Sequence, residues 1–64
     1  MEEELRTEIL RQLRKVDDQN APHIFKLIQT EAGYREVENR IIYMVAQEHI
    51  TPSACIPHIE NELQ

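Results

Sequence analysis

The sequence of 64 residues predicts an all-α fold: a small helical bundle of three main helices plus a short, proline-interrupted C-terminal helix. Three observations carry this expectation. Apolar residues recur at helical spacing in four segments, no segment alternates apolar and polar residues as a half-buried strand does, and the segments are separated by cap and breaker residues at Asn20-Ala21-Pro22, Gly33 and Thr51-Pro52. A chain of this length builds one core, so residues 1–64 are read as a single helical domain.

The first helix is expected over residues 2–16, where Leu5, Ile9, Leu13 and Val16 fall within an arc of roughly 80° and Leu10 sits at its edge. Glu2, Glu3 and Glu4 stand at the end where the helix dipole favours anions, and Arg14 and Lys15 at the end where it favours cations. Asp17, Asp18, Gln19 and Asn20 break the pattern, with Asn20 placed to cap a second helix that carries Pro22 in its first turn. That helix is expected over residues 22–32, with Ile24, Phe25, Leu27 and Ile28 inward and Gly33 as its left-handed stop.

The third helix, over residues 34–49, spreads Tyr34, Val37, Ile41, Ile42, Met44 and Val45 over roughly 160°, wider than a helix with one buried face requires, and is therefore expected at the centre. Tyr43 points away from that arc. Thr51 and Pro52 open the last segment, in which Ile56, Ile59 and Leu63 recur at i, i+3 and i+7, and Pro57 is expected either to kink this helix or to start it. Leu13, Ile28, Ile41 and Val45 are assigned to one shared core.

Charge and composition narrow the function. Twelve carboxylates against seven Lys and Arg give a net charge of −5, which opposes attraction to phosphate backbones and anionic lipid. The longest apolar run, from Ile41 to Ala46, is far shorter than the roughly 20 residues a membrane span needs. One cysteine, Cys55, cannot form an intramolecular disulfide, and the chain opens without a basic segment leading into an apolar one, so a reducing cytoplasm is the expected compartment.

Candidate chemistry is sparse. Cys55, His58 and Glu62 share one face of the last segment, but a zinc site needs four ligands and only His23 or His49 could add to them, so neither metal nor cofactor is expected. Glu36, Glu38, Glu60 and Glu62 alternate with apolar positions as a solvated helix face does. Arg11, Arg14 and Lys15 form a basic patch that Glu8 and Asp18 are spaced to neutralise. The single glycine precludes a glycine-rich phosphate cradle. The expectation is a non-enzymatic protein.

Residues Val45 to Ile56 resemble the paired helices of helix-turn-helix bacterial transcription regulators. The resemblance implies a DNA-binding regulator whose second helix reads bases. The chain departs from that pattern where Ile50 falls one place ahead of the apolar turn position and Pro57 enters the recognition helix. His58, Glu60, Asn61 and Glu62, read there as exposed, include no Lys or Arg to meet phosphate or guanine. Nucleic acid is accordingly the lesser expectation. The leading one is a small dimeric regulator or adaptor that binds another protein, with Leu10, Ile42 and Tyr43 as the partner or dimer interface, because these three are not needed by the intramolecular core.

Overall fold

A computed structural model describes residues 2–64, with side chains from residue 3 onward, so the placement expected for the Glu2 carboxylate lies outside the described residues. Among the described residues four helices follow in order, α1 (Glu2–Arg14), α2 (Pro22–Leu27), α3 (Glu31–Glu48) and α4 (Pro52–Leu63), and the structure is 77% helical with no strand. The fold class is the expected one. The short helix, however, is the second and not the last: α2 has 6 residues and α4 has 12.

Both α3 and α4 pack against every other helix, whereas the backbones of α1 and α2 do not approach each other among the described residues. Arg6 reaches Glu38 at 3.1 Å. Arg14 acts electrostatically on Tyr34, whose phenol is pushed up by burial and then by Glu38, with Arg14 opposing them. Helix α1 therefore runs antiparallel to α3. Arg40 meets Glu62 and Glu48 lies near Cys55, so α4 is antiparallel to α3 as well. The core between them contains Ile9, Leu13, Val16, Ala21, Ile24, Val37, Ile41, Met44, Cys55 and Ile59, with Ile28 and Val45 half-buried against it. Leu13 and Ile41 are thus at the centre of the expected core, and Ile28 and Val45 at its edge.

The helix boundaries differ from the expected ones for local reasons. Helix α1 ends at Arg14, and tighter turns, Lys15 N to Gln12 O and Val16 N to Leu13 O, carry Val16 into the core outside the helix. Asn20 does not cap α2. Its side chain is spent on the preceding loop, accepting from Asp17 N at 2.9 Å and donating to Lys15 O at 2.8 Å, while Asp17 accepts from the amides of Gln19 and Asn20. The residue at the cap position is Ala21, which offers no side-chain acceptor.

Gly33 does not stop α2 either. Thr30 is the cap of α3, accepting from Gly33 N at 3.0 Å, and Gly33 lies buried in the first turn of α3 without a positive φ. Its missing side chain serves close approach: a Cβ there would sit 2.8 Å from the Leu27 carbonyl carbon and nearer still to the carbonyl oxygen. His49 takes the left-handed conformation at the end of α3, with φ 56°. Helix α4 then starts at Pro52 under a Thr51 cap and runs through Pro57. The proline is tolerated because the carbonyl it leaves without a donor is that of Ser53, an exposed residue one turn earlier on the same face.

Replacing a mid-helix glycine by alanine ordinarily stabilises by about 1 kcal/mol. At Gly33 the sign reverses. The neighbour that must yield is backbone at the end of α2, so Gly33→Ala is expected to lose about 1 to 3 kcal/mol in urea unfolding. An unchanged or raised midpoint would contradict the close packing of α2 on α3.

Candidate functional site

The sequence pattern puts Glu60 on a solvated face, and the structure corrects this: Glu60 is 6% exposed and sits at the N-terminus of α2. One carboxylate oxygen accepts from Ile24 N at 2.9 Å. The other accepts from His23 N at 3.1 Å and lies 2.6 Å from His23 Nδ1. An ionised carboxylate only accepts, so Nδ1 carries the hydrogen of that contact. Glu60 thereby supplies the cap that Ala21 cannot, from 36 residues further along the chain. Burial raises its pKa, but the hydrogen bonds from Ile24 and His23 outweigh burial and hold it below the ordinary carboxylate value. The missed signal was a capless α2: once Asn20 is committed to its loop, an acceptor has to come from elsewhere.

The Cys55, His58 and Glu62 face does not come together as a chemical centre. Cys55 is fully buried in the core, and burial followed by the charge of Glu48 pushes its thiol pKa up, away from the thiolate a nucleophile or metal ligand requires. His58 is exposed, and Glu62 is engaged by Arg40 at 2.6 Å. Among the described residues no group of three or more His, Cys, Asp or Glu is arranged to hold a metal ion. On α1, Arg11 is neutralised by Glu8 at 2.9 Å as its spacing suggested. The Arg14 to Asp18 pair does not form among the described residues, because the helix ends at Arg14 and the chain turns away.

The three interface candidates separate. Ile42 is half-buried and packs against the core, Leu10 is 38% exposed, and Tyr43 is 58% exposed, the most open of the large apolar side chains described. Ile42 lies one turn after Glu38 on the side of α3 that faces α1. Tyr43 stands roughly 100° away, following Glu36 and Arg40 along the shoulder that faces α4. Leu10 and Tyr43 therefore belong to different sides of α3. No helix among the described residues is long and apolar enough to cross a membrane.

Stability held by Glu60 should vary with pH in one direction. Its folded pKa lies below the unfolded one, so the contribution is complete above the ordinary carboxylate range and is lost as the pH falls through and below it. Glu60→Ala should cost about 1 to 3 kcal/mol at neutral pH, since it strands the buried Ile24 amide and leaves the part-buried His23 amide without its acceptor. Glu60→Gln should retain part of the cap while flattening the acid limb of a stability profile between about pH 3 and 7. A Gln variant as acid-sensitive as the parent would place the acid response elsewhere. Compared with family models, curated proteins and solved structures, the chain matches none of them.

Proposed function

We propose that this protein is a non-enzymatic protein-binding module, a small regulator or adaptor of a reducing, cytoplasm-like compartment that associates with a second copy of itself. The observation that carries the reading is Tyr43, held 58% exposed in the C-terminal half of α3. A rigid ring with a polar hydroxyl suits a contact that is part dry and part wet. The neighbouring chemistry agrees, because the buried polar side chains are consumed in internal hydrogen bonds and the thiol of Cys55 is closed inside the core. Leu10 adds a second open apolar side chain on α1, whereas Ile42 supports the α3 backbone from within.

The helix-turn-helix reading retains one supporting feature, the three residues 49–51 that join α3 directly to α4. Against it, the exposed face of α4 presents Ser53, Pro57, His58, Asn61 and Glu62, with no Lys or Arg for phosphate. Tight duplex binding that weakens steeply with added salt would favour that reading over ours.

A two-fold contact counts every residue twice, so Tyr43→Glu brings two carboxylates into it and is expected to weaken self-association at least about ten-fold. Sedimentation equilibrium of parent and variant measures this. A parent that is monomeric at tens of micromolar rejects self-association, and an unchanged dimer in the variant removes Tyr43 from the contact.

A further inference from the structure

The open apolar surface at the far end of α4 is arranged in a way that fits one kind of partner. Leu27 and the 39% exposed Leu63 together line two adjoining hollows, one of about 140 Å³ that also touches Glu36 and Arg40 on α3, and one of about 280 Å³ that also touches Lys26 on α2. Both hollows are shallow and open to solvent, unlike the enclosed clefts that bury most of a small ligand, which suits a docking face. Leu63 is open because α2 ends at Leu27 and no other described residue covers it from that side.

The charges around this face are unevenly satisfied. Arg40 and Glu62 neutralise each other at 2.6 Å, and His23 is held by Glu60. The side chains of Lys26 at one end and Glu36 at the other have no ion-pair or hydrogen-bond partner among the described residues. Tyr43 continues the face, since Glu36, Arg40 and Tyr43 follow one another at i, i+4 and i+7 along α3. An apolar centre with an unpaired cation at one end and an unpaired anion at the other is complementary to itself. A two-fold axis through Leu27 and Leu63 sets Lys26 of each copy against Glu36 of the other.

We infer that the face formed by Lys26, Leu27, Glu36, Tyr43 and Leu63 takes a second copy of this chain in a two-fold contact. The inference rests on the self-association reading above and names the surface that performs it. A stable contact covers about 800 Å² on each side, roughly a sixth of the 4593 Å² surface, more than Tyr43 alone supplies. The α1 side of α3, with Leu10, is then left outside the contact.

Sedimentation equilibrium of the intact chain tests this with Lys26→Glu, Glu36→Lys, the double variant carrying both, and Leu63→Glu. All three positions are exposed, so helical circular dichroism should match the parent. Each single charge reversal is expected to weaken the dimer at least about ten-fold by setting like charges opposite each other, and Leu63→Glu at least as much. The double variant should recover the parent affinity, and an equimolar mixture of the two single reversals should form a mixed dimer tighter than either alone. A dimeric parent that loses association with Tyr43→Glu but not with Leu63→Glu or the charge reversals overturns this face and leaves self-association standing. A double variant no tighter than the single ones also overturns it. A monomeric parent rejects both.

Discussion

A single buried carboxylate holds the shortest helix in place. Helix α2 has six residues, too few to persist without tertiary support, and its first turn lacks any local acceptor because Ala21 occupies the cap position. Glu60 bridges that deficit from α4, with three hydrogen-bond contacts to His23 and Ile24. The arrangement matters beyond α2, since Ala21 and Ile24 are both fully buried and form part of the floor on which Ile41, Cys55 and Ile59 close. Burying an acidic group among these would be costly if it were left unpaired; here both oxygens are occupied.

The other end of α2 is fixed by an equally non-local device. Gly33 lets the first turn of α3 approach the Leu27 carbonyl more closely than any side chain allows. Helix α2 is thus pinned at its start by α4 and at its end by α3, which explains why it stops where it does. Its early end leaves Leu63 exposed beside a half-buried Leu27 and Lys26, so the same packing that builds the core also sets out the face through which we infer association.

Much of the architecture was legible in the sequence because it depends on local pattern. The stripe of Ile9, Leu13 and Val16, the wide apolar arc of α3 and the Thr51-Pro52 start of α4 all read directly from spacing and capping chemistry. The openness of Tyr43 was legible from the helical wheel as well. Glu60 was not, because its role depends on a partner in another helix and its immediate neighbours alternate as a solvated face does. Gly33 was misread because glycine more often ends a helix than permits a close crossing. Asn20 was misread because one side chain can cap either a loop or a helix, and the hydrogen bonds of Asp17 decide between them. Leu63 continues the stripe of Ile59 yet stays open, since the length of α2, not the pattern of α4, determines what is covered.

An ionised Glu60 caps α2 within the fold, and the side-chain carboxyl carbon of that residue reports its charge state. Carbon-13 resonance of the selectively labelled side chain, followed through an acid titration, should give a midpoint below the ordinary carboxylate value, with the amide signals of His23 and Ile24 shifting in step. A Glu60 midpoint at or above that of the exposed glutamates, with those two amides indifferent to it, would contradict the account.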